Sequence, residues 1–311
     1  MEFVKIFLTS ILLLGCNQVN ENQNYTFPSS EIPSYPVDQP TTPSTPATGF
    51  QLVDSKLFGY STMGGGGGLS AMQLVYDGTN LVLPSVIAAD TIQFGLINSS
   101  NLAAITSYNA TAAGVYEIYS ATSNSAGNIS ILYKHTNGTK YISTWPTTNP
   151  TTPLTTVTFN PSTFGCHTSI NDFKITLKNT TYYGACTPAS GPSGQLRLFS
   201  MDISGNLLSA VTVSWPGSNL FPVRGLFTKD NLLWIAADTS DTPSGTTLFK
   251  YDLSFQYIGK LNGSLGSLAN LYQSVNAIIF VGTTLFINNG GETCSGYSTC
   301  YRITKLTHNE F

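Results

Sequence analysis

An all-β fold, made of like four-stranded sheets set around one axis, is predicted by three observations. The first is residues 223–261, which hold four short strand-like runs in succession. Roughly 40 residues for four strands is the size of one blade of a radially repeated β architecture. The second is that pieces of this unit recur along the chain. The third is the near absence of helix signals: β-branched residues, Gly and Asn dominate, and Leu265–Gln273 is the one stretch that reads as a short helical turn. The fold class these predict is a single β-propeller with five four-stranded blades. Counting places the blade starts near Ala71, Val115, Ile170, Val223 and Val275, and a sixth blade fits if residues 115–160 conceal one. A pair of β-sandwiches is the alternative fold, and the late-chain repeats argue against it.

Within the best unit each element has its own signal. Val223–Phe227 is a short apolar run, Lys229-Asp230-Asn231 a turn, and Leu232–Ala237 a second run. A polar loop with Gly and Pro follows. Thr247–Leu253 then alternates, with Phe249, Tyr251 and Leu253 on one face and Lys250 and Asp252 on the other. After a turn at Ser254, Gln256–Leu261 ends the unit. Copies of the first hairpin appear as YDGTNLVLP (Tyr76–Pro84), KNTTYYGA (Lys178–Ala185) and VGTTLFINN (Val281–Asn289). In each, turn residues precede a hydrophobic or aromatic run. Copies of the second hairpin are Leu198–Val211 and Ile92–Ile105, with Tyr301–Thr307 a partial one. The stretches VYEIYS, NISILYK, TKYIST and LTTVTF supply four strands of another blade between Val115 and Asn160.

The last unit stops one strand short, because only His308–Phe311 follow Tyr301–Thr307. Phe50–Tyr60 precedes the first blade and can supply the missing strand. The ring is therefore expected to be closed by an N-terminal strand over residues 50–60 that pairs with the C-terminal blade, which removes an exposed sheet edge.

The chain opens MEFVKIFLTSILLLGC. Lys5 precedes an apolar run, Ile6–Leu14, too short to span a bilayer and suited to a secretory leader. The run ends Leu13-Leu14-Gly15-Cys16, which resembles the lipobox of bacterial lipoproteins: aliphatic at −3, small at −1, Cys at +1. Leu14 is bulkier than usual at −2, and Glu2 accompanies Lys5. The resemblance implies a signal peptide over residues 1–15, lipidation of Cys16, and, with Asn17 at +2, sorting to the outer membrane, on its periplasmic face or at the cell surface. Residues 16–49 are rich in Asn, Pro, Ser and Thr and lack apolar periodicity, which predicts a semi-extended tether. The propeller domain then covers residues 50–311.

Composition limits partners. Charged residues make up 9% of the 311 and the net charge is −3, so no electrostatic footprint for nucleic acid is expected. Beyond Cys16 there are four cysteines. In an exported chain their spacing predicts two disulfides, Cys166–Cys186 and Cys294–Cys300. Neither CxxC spacing nor a His cluster accompanies them, and the three histidines, His135, His167 and His308, fall in different units. No metal site and no cofactor are expected. Gly64–Gly68 lacks the GK[ST] ending of a phosphate loop and reads as a flexible link.

Two readings of function come from different classes. Trp145 and Trp215 each precede Pro in Ser/Thr-rich loops. Exposed, they would stack on a sugar ring or anchor a protein partner; buried, they would fill the gaps between blades. The gap-filling placement is preferred for both, and the first reading is a membrane-anchored, non-catalytic binding or scaffold propeller whose partner is an envelope protein, a host or matrix component, or a glycan. The layout of lipobox, tether and propeller is similar to the propeller lipoprotein of outer-membrane protein assembly, although this chain is shorter and lacks that family's repeat motif. The alternative is a carbohydrate-active hydrolase, since five-bladed propellers include glycosidases with carboxylates around a central pocket. Asp54, Asp90, Asp172, Asp238, Asp241 and Glu292 lie at or near run ends and are the candidates. Asp202 and Asp252 occupy equivalent positions and read as parts of the structural repeat.

Overall fold

A computed structural model describes residues 50–311 apart from 60–72, 89, 112–113, 148–149, 169–171, 192–193, 216–222, 240–244, 262–274, 295–296 and 309–311. The leader, Cys16, the tether, the glycine run, Asp241 and the Leu265–Gln273 turn all lie outside the described residues.

The described strands form five antiparallel sheets of four. The first blade holds β2 (Val75–Tyr76), β3 (Asn80–Ala88), β4 (Thr91–Asn98) and β5 (Ala104–Thr111). The second holds β6 (Val115–Ser123), β7 (Ile129–His135), β8 (Lys140–Trp145) and β9 (Thr155–Phe159). The third holds β10 (Lys174–Lys178), β11 (Thr181–Cys186), β12 (Gln195–Asp202) and β13 (Leu207–Ser214). The fourth holds β14 (Val223–Lys229), β15 (Leu232–Thr239), β16 (Gly245–Asp252) and β17 (Tyr257–Lys260). The fifth is ordered β18 (Val275–Val281), β19 (Thr284–Cys294), β20 (Tyr297–His308) and then β1 (Phe50–Gly59). Each inner strand touches the inner strands of both neighbouring blades, β2 to β6, β10, β14, β18 and back to β2, so the sheets form a closed five-bladed propeller.

Closure is as expected. β1 runs antiparallel to β20, from Phe50 opposite His308 to Gly59 opposite Cys300, with Val53 as the extra residue where the register shifts. The turns follow the sequence signals too. Asn179, Asp230, Asn231, Gly78 and Gly282 all take positive φ between the first and second strands of their blades, as tight hairpins require.

The core is divided into five layers, each filled from two consecutive blades. This explains the unbroken run Leu232–Ala237. In β15, Trp234 and Ala236 pack toward the fifth blade while Leu233, Ile235 and Ala237 pack toward the third. A strand buried on both faces reads as continuous hydrophobicity. β1 serves two layers: Phe50 packs between the fourth and fifth blades, and Phe58 between the fifth and first. At the centre the packing is tight. A Cβ on Gly225 of β14 would lie 2.9 Å from the carbonyl oxygen of Ile278 in β18, so only glycine lets these inner strands approach.

Cys166 and Cys186 form a disulfide with Cα atoms 5.8 Å apart. It ties the short 3-10 turn Pro161–Phe164, which leads into the third blade, to the end of β11. Closing a loop of 20 residues is expected to contribute about 3 kcal/mol. The Cys166→Ala, Cys186→Ala double variant should therefore unfold at clearly lower urea, and the parent should shift likewise under reductant. Coincident curves would show that the bridge contributes nothing. For the other predicted pair, the backbone register places Cys300 opposite Glu292 and Cys294 opposite Tyr297; their side chains lie outside the described residues.

Candidate functional site

The inner strands all run the same way along the axis, because each is entered from the outer strand of the blade before. Their first residues therefore meet at one end of the ring. Lys174 opens β10 there. Its ammonium donates to the Tyr119 carbonyl at 3.1 Å and to Oε1 of Gln73 at 3.4 Å. Gln73 stands just before β2, two blades away around the ring, so Lys174 reaches across the axis. The residue is half-buried, and its ammonium end lies between Gln73 and Tyr119, both buried.

Both acceptors are neutral. Burial, followed by repulsion from the Arg224 guanidinium, pulls the Lys174 amine from its ordinary 10.5 to about 8, with Asp172 opposing. Asp172 accepts bonds from the Thr187 backbone N–H and hydroxyl. Arg224 is the second residue of β14, where the ladder skips from Val223 to Gly225. A similar skip in β6, from Val115 to Glu117, turns out Tyr116, which is 64% exposed. The Lys134 ammonium lies 5.3 Å from the centre of the Tyr116 ring, within cation–π range.

A second amine adjoins this end. Lys140 is buried at the start of β8 and donates to the Thr168 carbonyl at 3.3 Å. It sits 5.4 Å from the Phe173 ring centre and 5.8 Å from that of Tyr119. Burial and then Lys134 lower its pKa, while Glu117 works against them. The Tyr119 phenol is pushed up by burial and by Glu117. Four cations (Lys134, Lys140, Lys174 and Arg224) and two carboxylates (Asp172 and Glu117) thus gather near one mouth of a chain whose net charge is −3.

The residues expected from sequence are distributed differently. Trp145 is fully buried between the first and second blades, 6.1 Å from Phe94 and 6.2 Å from Tyr133. Trp215 is buried between the third and fourth, 4.3 Å from Phe249. Neither is an exposed binding aromatic. His308 is buried as well, its ring 4.4 Å from that of Phe50.

Of the candidate carboxylates whose side chains are described, Asp172 stands at this mouth beside Lys174, and the others do not. Asp54 lies on the outer strand β1, and its side chain accepts from the Ser55 N–H. Asp90 is exposed at the turn before β4, bonded to Thr91. The side chains of Asp238 and Glu292 lie outside the described residues. Asp202 and Asp252 cap equivalent turns, accepting from the N–H groups of Ser204 and Asn206 and of Ser254 and Gln256. The one carboxylate on a described inner strand is Glu117. Among the described residues, no group of three or more His, Cys, Asp or Glu side chains is placed to hold a metal.

No protein-family model matches this chain, and no curated protein does. Solved structures do. An exo-β-1,3-galactanase from Phanerochaete chrysosporium superposes with a TM-score of 0.50 at 12% identity, over 77% of this chain and 61% of that one. A protein of unknown function from Bacteroides caccae gives 0.41 at 14%, over 69% of both. A xylan β-1,4-xylosidase from Bacillus halodurans gives 0.48 at 10%, over 77% of this chain and 54% of that one. The chain spans less than two thirds of the length of either glycosidase. At such identities the likeness establishes the propeller fold alone.

Proposed function

We propose that this protein is a non-catalytic binding propeller, held at a bacterial membrane by lipid on Cys16, that takes its ligand at the axial end where the inner strands begin. The observation that carries this reading is the character of that end. It presents amines, a guanidinium, an amide and an exposed tyrosine, with two carboxylates, Glu117 on an inner strand and Asp172 just before one, the latter held by Thr187. Hydrolysis of a glycosidic bond with two enzymic carboxylates needs them on opposite sides of the bond. A binding site needs only convergent polar groups beside an aromatic face. Outer-membrane placement follows from the lipobox resemblance, and the second disulfide, Cys294–Cys300, from cysteine spacing in an exported chain.

The test has two arms. The lipobox arm compares the parent with Cys16→Ala in bacteria: the parent should partition into detergent and carry an acyl mass increment at Cys16, and the variant should not. The binding arm screens the chain from residue 50 on a glycan array and, in parallel, against aryl glycosides. Glycan retention without turnover supports the reading. Turnover that disappears in Glu117→Gln would replace it with the hydrolase.

A further inference from the structure

We propose that the ligand is an acidic glycan, one that places a hexuronate carboxylate between Lys174 and Arg224 while its sugar ring lies on Tyr116. This deepens the binding reading given above and rests on it.

The argument begins with Lys174. An ammonium removed from water is costly unless a counter-charge accompanies it. Here its two hydrogen bonds go to a carbonyl and an amide oxygen, and no described carboxylate lies within ion-pair distance. A third N–H remains for another acceptor. Arg224 on the adjacent inner strand adds like charge, so the pair repels rather than stabilises. Asp172 offsets this weakly, its oxygens being engaged by Thr187. An arriving carboxylate would relieve both the desolvation and the repulsion.

Sugar rather than peptide is indicated by Tyr116. It is the large aromatic side chain that the skip in β6 turns to solvent near this mouth. Sugars present a flat apolar face that stacks on such rings, and their hydroxyls suit the Gln73 amide. The surrounding positive charge steers an acidic chain toward this end of a protein that is negative overall.

The experiment is calorimetry of residues 50–311 with tri-galacturonate, the neutral galactose trimer, acetate, inorganic phosphate and poly-glutamate. Tri-galacturonate should bind at pH 7, at least tenfold more tightly than any other probe. Lys174→Met, Arg224→Gln and Tyr116→Ala should each weaken it tenfold or more, in variants whose circular dichroism matches the parent. Binding should also fall between pH 7 and pH 9.5 as Lys174 loses its proton. The charged groups facing Lys174 are Arg224 and Asp172, with Glu117 on the same strand as Tyr119, and Lys174→Met should remove the pH dependence. Equal affinity for the neutral trimer overturns the acidic assignment and leaves the binding function standing. Equal affinity for acetate, phosphate or poly-glutamate overturns the glycan assignment. Undiminished binding by Lys174→Met and Arg224→Gln overturns the site. Cleavage of the trimer would instead sink the non-catalytic reading.

Discussion

Removing Phe50–Gly59 is expected to lower the melting temperature by roughly 12–40 °C and to make the protein aggregate on heating. The strand forms nine cross-strand pairs with β20. It also supplies Phe50 and Phe58, each 4% exposed, to two different core layers. Truncating one buried Phe costs about 3–5 kcal/mol, and each kcal/mol moves the midpoint by about 2–4 °C in a domain of this size. The deletion further bares β20, a strand with no other partner on that side, as a template for other chains. Val53 provides the control. It is the extra residue at the register shift and is 52% exposed, so Val53→Ser should stay within about 0.5 kcal/mol of the parent. A deletion variant that melts as cooperatively and as high as the parent would show that closure by this strand is immaterial.

What could be read from the sequence follows from how a propeller buries its strands. Inner and second strands are covered on both faces, so runs such as Leu232–Ala237 stand out, and two-residue turns announce themselves by Asn, Asp and Gly. Blade starts at Val115, Val223 and Val275 coincide with the inner strands observed. Those placed near Ala71 and Ile170 begin at Val75 and Lys174 instead, because Leu74 and Phe173 are buried apolar residues that precede the ladder without joining it. The site was far less legible. Tyr116 and Arg224 owe their positions to one-residue skips in the ladder, and no composition or period marks a skip. Lys174 sits in an alternating stretch where Lys178 looks equivalent, and only the reach to Gln73 across the ring separates them. For Trp145 and Trp215 a Trp-Pro pair signals where a strand ends but not which way the indole points, and of the two placements open to them the structure shows the one that fills the gaps between blades.

Stability should rise with pH from about 8 toward 10, an unusual slope, and Lys174 should be its main source. Its folded value of about 8 lies below the ordinary 10.5. Between those values the unfolded chain holds a proton that the folded chain has released. The unfolded state then binds more protons, and unfolding becomes harder as pH increases. At about 1.4 kcal/mol per unit, the full effect is roughly 3 kcal/mol. Lys140, lowered by burial, acts in the same sense. Phenols limit the rise from above: Tyr119, Tyr133, Tyr183 and Tyr251 are all pushed up by burial. Past pH 10 their unfolded counterparts ionise first, and stability falls again. Urea midpoints at pH 7.0, 8.5 and 9.5 would read this directly. In Lys174→Met the increase should shrink to what Lys140 contributes, and parallel slopes in the two proteins would refute the assignment. The same measurement bears on function. A site that holds a desolvated ammonium beside a guanidinium costs stability at neutral pH, as binding sites commonly do. Tri-galacturonate at saturating concentration should then stabilise the parent more at pH 7.0 than at pH 9.5, because the carboxylate favours the protonated amine that the empty site disfavours.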